Sequence, residues 1–393
     1  MADPSGKVNA LAQAFKERYK RAPELFFSAP GRVNLIGEHT DYNQGLALPM
    51  ALKERTRVAA ATRDDRIVRV YSAALKKERS FSLDDAFTRR GKWLDYVEGV
   101  ARALLSRGVP VRGADLYVSS DVPPGAGLSS SAALELAVGL AFTSLVNHPL
   151  SPRELALVGQ AAENEYVGAN TGNMDQLVCA LARAGHALLI DCRTLDVSEV
   201  KLPRAPVAFL VFDTHVRHAL ASSGYNRRRE ECQEALGLLQ RGGWEITSLS
   251  DVSVTRLEEA QRLLPDPLDR RVRHVVRENA RTRAAVDALG GEHLAAFGRL
   301  MSGSHASLRD DFEVSCVELD HLVDHALRER GVLGARMTGG GFGGSALLLV
   351  QDGAVDAVTE ELQGAFRRKF GSEVAMHRAE AGDGVRIENE SRA

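Results

Sequence analysis

The segment Pro123-Pro124-Gly125-Ala126-Gly127-Leu128-Ser129-Ser130-Ser131-Ala132-Ala133 constrains this chain more than any other, because a glycine loop feeds directly into a long apolar helix, Ser129 to Val146. Glycines let the backbone approach a ligand closely. The free N–H groups of the first helical turn point at that ligand with the helix dipole behind them. Such a junction suits a phosphate, and the serines add hydroxyl donors, one of which could also ligate Mg²⁺. No lysine follows the glycines, so this is not a Walker A loop. A plain glycine turn with a serine N-cap would read the same way.

A second cluster, Gly339-Gly340-Gly341-Phe342-Gly343-Gly344, contains a formal GxGxxG. The dinucleotide fingerprint needs strand, glycines, then helix, whereas here Ser345 to Val350 reads as a buried strand. Close backbone approach to a ligand, or a hairpin tip, accounts for the glycines instead. Near the N-terminus, Ala29 to Tyr42 interleaves apolar residues with Arg32, Asn34 and the tetrad Glu38-His39-Thr40-Asp41. Carboxylates and an imidazole on a loop suit hydrogen bonding to vicinal sugar hydroxyls, and a solvated turn would look similar. Their spacing matches no zinc signature.

Around these motifs, residues 9–20 suggest a short amphipathic helix. Segments 56–62 and 66–72 flank Asp64-Asp65 as a hairpin would. Trp93 to Ser106 has helical spacing closed by Gly108, and Ala114 to Ser119 is strand-like. Ser151-Pro152-Arg153-Glu154 is a capping box that predicts a helix to about Val167. Strands are expected at Ala187–Ile190, Val207–Phe212 and Ser345–Gln351, with Arg-rich helices between the last two. Alternating elements of both kinds imply α/β or α+β layers, and 393 residues imply two domains meeting near Pro203 and Pro206.

Composition narrows the function classes. A net charge of −2 offers no bulk attraction to nucleic acid or anionic membrane. The arginines from Arg270 to Arg283 alternate with Val272, Val275, Val276 and Ala280, as on an amphipathic surface helix. The triplet Arg227-Arg228-Arg229 is neutralised by Glu230 and Glu231. No nucleic acid and no membrane partner is expected. His321 and His325 sit on a polar helix flank rather than in a metal clamp. Cys179, Cys192, Cys232 and Cys316 lack CxxC spacing, and no signal peptide or apolar span is evident, so a cytoplasmic location is expected. Nothing in the sequence sets the oligomeric state, and a monomer is favoured.

Four segments together resemble one family. Gly31-Arg32-Val33-Asn34-Leu35-Ile36-Gly37-Glu38-His39-Thr40-Asp41-Tyr42 is similar, almost residue for residue, to the galactokinase signature. Pro124 to Ala133 resembles the phosphate loop of the wider superfamily of galactose, homoserine, mevalonate and phosphomevalonate (GHMP) kinases. Thr338 to Ser345 resembles its third motif, and Gly172-Asn173-Met174-Asp175-Gln176 the segment holding its catalytic aspartate.

The resemblance implies an α/β (α+β) two-domain GHMP-kinase fold with mixed and antiparallel sheets packed by helices. Its domains would be 1–204 and 205–393, with the active site in the cleft between them. It implies ATP-dependent phosphorylation of the C1 hydroxyl of α-D-galactose, giving galactose 1-phosphate and ADP, the first committed step of galactose breakdown. Asp175 would accept the hydroxyl proton, and Arg32 would hold Asp175 ionised and offset charge on the phosphoryl group. Glu38, His39, Thr40, Asp41, Gly172 and Tyr225 would bind the sugar. Gly125, Ala126, Gly127, Leu128, Ser129, Ser130 and Ser131 would wrap the ATP phosphates, with Ser72 touching the nucleotide. Ser131 and Glu163 would hold Mg²⁺.

This chain departs from the family pattern at Thr171-Gly172-Asn173, where Cys-Gly-Ile is frequent, and at Gly224, where a glutamate commonly precedes the tyrosine. Both changes touch the sugar side. The alternatives are a sugar 1-kinase for N-acetylgalactosamine or arabinose, and a non-catalytic galactose and ATP sensor. The uninterrupted run Ser129 to Ala133, with Asp175, Arg32 and Glu163 all present, favours an enzyme.

Overall fold

Alternation at a period of two decides the layering of the first half. Helix α1 (Pro4–Tyr19) packs Val8, Leu11 and Phe15 against Phe26 of β1 (Leu25–Asn34), whereas Phe27 belongs to the core on the other side. After the short β2 (Leu46–Ala47), strand β3 (Pro49–Thr62) repeats the pattern: Ala59 and Ala61 join the α1 cluster, Val58 and Ala60 the opposite core. Strands β4 (Ile67–Ser72) and β5 (Lys77–Ser82) precede helix α2 (Leu94–Ser106), then β6 (Ala114–Ser120). Helices α3 (Ser130–Leu145), α4 (Pro152–Ala161) and α5 (Met174–Leu181) complete this half, α2 to α5 building the larger core. The computed structural model describes residues 4–388 apart from 124, 170, 204–205 and 218–220.

The hairpin expected across Asp64-Asp65 does not form. Strand β6 lies between β3 and β4, antiparallel to the first and parallel to the second. The buried Asp115 of β6 supplies the reason. It collects Arg21 (2.8 Å), Arg63 (3.2 Å) and Arg69 (2.7 Å), one before β3, one just after it and one on β4. One buried carboxylate thus draws both flanking strands onto β6.

Beyond β7 (His186–Asp191) and β8 (Val197–Lys201), which form a three-stranded sheet with β2, comes β9 (Val207–Arg217). The expected domain boundary at residues 204–205 lies outside the described residues. Helices α6 (Ala221–Arg241), α7 (Leu257–Arg262), α8 (Leu268–Gly290), α9 (Leu294–Asp310) and α10 (Val317–Ala326) follow. Then come β10 (Val332–Thr338), β11 (Gly343–Gln351), α11 (Val355–Phe370), β12 (Ala375–Ala379) and β13 (Arg386–Glu388).

The second sheet has the antiparallel order β10-β11-β9-β12 and is covered on both faces. Leu210 and Phe212 pack into the helices of this half, whereas Phe209 and Val211 pack with Val33, Ile36 and Met50 of the first half. Burial on both faces explains why β11 reads as a continuous apolar run. Finally β13 returns to pair with β1 at the edge of the first sheet.

The Arg-rich helix differs from the surface helix its spacing suggests. Arg271 of α8 is wholly buried and ion-pairs with Glu231 and Glu313, each at 2.6 Å. Alternation with valines hid this, because Arg271 lies on the buried side with its charge fully matched. No helix among the described residues is long and apolar enough to cross a membrane.

Candidate active site

The phosphate-loop segment lies between β6 and α3. Ser129, at the N-cap of α3, has φ 54, a left-handed conformation that costs a non-glycine residue about 1 kcal/mol or more. Its side chain does not cap the helix. The hydroxyl instead donates a short hydrogen bond to Asp175 Oδ2. Gly125, Gly127, Leu128, Ser129, Ser130 and Ser131 line a cavity of about 270 Å³ with Arg32, Asp175 and Gly340. Ala126 faces the core, and its carbonyl is held by the Ser345 hydroxyl at 2.7 Å. Pro124 lies outside the described residues. Ser72 ends β4, where its hydroxyl accepts from Leu75 N at 3.3 Å, and it lines neither this cavity nor the next.

Arg32 and Asp175 meet at the wall of this loop. Nε donates to Oδ1 and one terminal nitrogen to Oδ2, both at 2.7 Å, and the other terminal nitrogen donates to Gly127 O at 2.5 Å. Asp175 also sits in the first turn of α5, where the helix dipole favours a carboxylate. Burial opposes the Arg32 charge, but Asp175 and then Glu38 overcome it and hold the guanidinium more firmly protonated than usual.

A second cavity of about 290 Å³ shares Arg32, Asp175 and Gly340 with the first. Its wall also holds Glu38, His39, Asp41, Thr171, Gly172 and Tyr225. Glu38, 2% exposed, accepts short hydrogen bonds from Gly339 N on Oε1 and from Asn34 Nδ2 on Oε2. Burial raises its carboxyl, opposed first by Arg336 and then by Arg32. His39, at φ 60, bonds Tyr42 OH through Nδ1 at 2.8 Å and packs its ring on Phe312 and Tyr225. Its Nε2 has no hydrogen-bond partner among the described residues, so a donor or acceptor is free for a ligand. Burial first, then His274 and Arg228, lowers its pKa to about 3 and keeps the ring neutral.

Gly172 is required by close approach: a Cβ there would stand 1.9 Å from Asp41 Oδ2. Burial first, and Asp175 second, push the Asp41 carboxyl up to about 6. Thr40 is not brought to the cavity. Its hydroxyl turns inward, 2.9 Å from Gly37 O and 2.8 Å from Leu46 O, and closes the 37–46 loop. The family's glutamate could not replace Gly224 without movement, because a Cβ there would meet the Phe342 ring at 2.7 Å.

Behind the phosphate loop lies a group of acids. Helix α4, capped by Ser151 and Glu154 as expected, widens into a π-turn over Ala162–Val167 that carries Glu163. Glu163 Oε2 accepts from Gln176 Nε2 at 2.7 Å and Thr171 Oγ1 at 3.0 Å, and the Ser131 hydroxyl bonds the same carboxylate. Burial, then repulsion from Asp175, raises the Glu163 carboxyl. Burial and Glu163 push Glu135 well above the usual carboxylate range. Crowded carboxylate and hydroxyl oxygens beside a phosphate loop fit a hard divalent cation, which would relieve that repulsion.

Sequence reasoning missed Gly168, Ala169, Thr171, Met174 and Asn226 as cavity lining, and it left the Gly339–Gly344 cluster between ligand approach and a hairpin tip. The glycine cluster was the one available signal, since Gly339 and Gly340 form the β10–β11 turn that closes over both cavities. His321 and His325 pack ring against ring, tilted at 49° with centroids 4.3 Å apart, and line neither cavity.

Family models match three stretches of the chain. These are the galactokinase galactose-binding signature at residues 13–62, the GHMP kinases N terminal domain at 95–183 and the GHMP kinases C terminal at 285–368. The chain is 49% identical over 381 residues to the galactokinase of Chloroflexus aggregans, covering 96% of this chain and 97% of the relative. It is 42% identical over 386 residues to that of Haemophilus influenzae, covering 97% and 99%. The fold superposes on Lactococcus lactis galactokinase complexed with galactose with a TM-score of 0.93 and 36% identity, covering 96% of this chain and 99% of that one. Methanococcus jannaschii mevalonate kinase, at 19% identity and a TM-score of 0.65 over 91% and 98%, shares the fold.

Proposed function

The chain belongs to the galactokinase family of the GHMP kinases, and on that premise we propose that it moves the γ-phosphate of ATP onto the C1 hydroxyl of α-D-galactose. The products are galactose 1-phosphate and ADP. The observation that carries this reading is the Arg32–Asp175 pair on the wall common to the two cavities, one lined by the phosphate loop and one by the sugar signature.

The sugar occupies the second cavity against Glu38, His39, Asp41, Gly172 and Tyr225. Asp175, oriented by Arg32 and Ser129, takes the proton from the C1 hydroxyl as that oxygen bonds to the γ-phosphorus. The bond from phosphorus to the β–γ bridging oxygen breaks, and its electron pair leaves with ADP. Arg32 offsets charge gathering on the phosphoryl group, and the backbone of Gly125 to Ser131 holds the phosphates. Because such transfers are loose, positioning and charge supply most of the acceleration, with proton removal a smaller part.

Ser131 and Glu163 would hold Mg²⁺, which would supply positive charge to offset that of the ATP phosphates. We place the division between halves between β8 and β9, with β13 returning to the first sheet. A cytoplasmic location fits the four cysteines, which are all free thiols.

ADP release measured across galactose, N-acetylgalactosamine, arabinose and glucose tests the reading. Galactose should turn over fastest. Pentose turnover without galactose turnover would overturn the substrate assignment, and galactose binding without ADP release would mark a sensor.

A further inference from the structure

The sugar cavity has a buried back wall drawn from the second half of the chain. Arg336 of β10 is 0% exposed. One terminal nitrogen donates to Asn34 O at 3.1 Å, and the other lies 3.8 Å from Glu38 Oε1. Nε and that second terminal nitrogen have no hydrogen-bond partner among the described residues. A buried guanidinium with spare donors is costly unless opposite charge lies close by.

Two buried carboxylates feel the Arg336 charge, Glu38 and Glu278, and Glu38 is the one that pairs with it at 3.8 Å. Arg32, the other cation facing Glu38, is engaged by Asp175 through both prongs. Glu278 of α8 is matched to Arg281 at 2.7 Å and accepts from Gly37 N (3.0 Å) and Ser304 Oγ (2.5 Å). His274 of α8 bonds Glu38 O at 3.0 Å, and Asp41 and His39 complete the titratable groups on the Glu38 loop. With Arg32 committed to Asp175 and Glu278 to Arg281, Arg336 is the cation that most favours the Glu38 charge.

We propose that Arg336 is a positioning residue for the sugar site, the counter-ion that fixes the Glu38 carboxylate at the cavity wall. The inference rests on reading Glu38 as a sugar ligand. Arg336 does not reach the cavity, so it acts only through Glu38. Without it, burial would push the Glu38 carboxyl further up, and a protonated carboxyl loses acceptor capacity toward sugar hydroxyls. Sugar binding would then recover as pH rises.

The experiment measures KM for galactose and for ATP, kcat, and thermal melting between pH 7 and 9 on the full chain. Arg336→Met should raise the galactose KM at least tenfold at pH 7, with the defect shrinking toward pH 9. The ATP KM should stay within twofold, and Arg336→Lys should recover most of the loss. A galactose KM within twofold of the parent and flat with pH, while Glu38→Gln raises it, overturns the inference. An unchanged galactose KM in Glu38→Gln instead removes the reading of Glu38 on which it rests. If Arg336→Met does not fold, the double variant Arg336→Met/Glu38→Gln decides. Recovery of a cooperative melt supports the pairing, and an equally unfolded double variant refutes it.

Discussion

Arg32 and Asp175 form a two-pronged pair, 2.7 Å on each prong, at the wall where the sugar cavity and the phosphate cavity meet. The third arm of the guanidinium reaches Gly127 O in the phosphate loop. A single side chain therefore ties the acceptor carboxylate to the loop that carries the donor, and changes at either residue should be felt in the chemical step.

Asp175→Asn keeps the shape of the side chain but cannot take the C1 proton. It should lower kcat by about 10³-fold while galactose still binds, read by ADP release and by calorimetry. Near-normal kcat would mean that positioning alone suffices.

Arg32→Lys retains a charge but loses the fork. A single ammonium cannot serve both oxygens of Asp175 and Gly127 O, so kcat should fall by about 10²-fold, with a smaller change in either KM. Steady-state kinetics with each substrate varied checks this, and a kcat within threefold would deny the fork its role.

Glu163→Gln should raise the Mg²⁺ concentration needed for half-maximal activity by about tenfold, because one anionic oxygen is lost beside Ser131. A magnesium titration at fixed ATP reads this directly. An unchanged midpoint would remove Glu163 from the metal shell.

Asp41 makes stability and binding move oppositely with pH. Its folded-state value of about 6 exceeds the ordinary 3.8, so between these values the folded chain binds more protons than the unfolded chain. Stability attributable to Asp41 therefore falls as pH rises through that window and levels above it. Galactose affinity should rise instead: at pH 5 about one tenth of Asp41 is ionised, giving a KM about tenfold above its pH 7 value. Asp41→Asn should flatten the KM slope and remove the falling share of stability from the melting curves; an unchanged KM slope would assign the titration elsewhere. His39, neutral in the folded chain over this range, adds nothing to the binding slope, but between about 3 and its ordinary 6.5 only the unfolded chain carries its proton, so its share of stability rises with pH.

Gly172→Ala places a methyl group where Asp41 Oδ2 now sits. The galactose KM should rise at least tenfold with the ATP KM within about twofold, a split that a general loss of fold would not produce. Equal changes in both constants would point to misfolding instead.

Much of the site was legible because its chemistry is local in sequence. The loop Gly125 to Ser131, the signature Gly31 to Tyr42 and the Asp175 segment each announce themselves through residue type and spacing, and the capping box at Ser151 placed Glu163 on its helix. Thr40 shows the limit: it lies within the signature, yet its hydroxyl is spent inside its own loop. Ser72 shows another, since nothing in its neighbours says which cavity its strand will face.

From the sequence alone came the motifs, the alternating elements and the family resemblance, all of which depend on short-range patterns of charge, glycine and apolar spacing. Tertiary structure alone decided that β6 enters between β3 and β4, that Arg271 and Arg336 are buried, and that Glu38 finds its cation on a strand about 300 residues away. Burial sets the cost of a charge, and burial and partner both depend on which distant segments pack together. A one-dimensional pattern shows which groups are available, and only packing determines which of them neutralise one another.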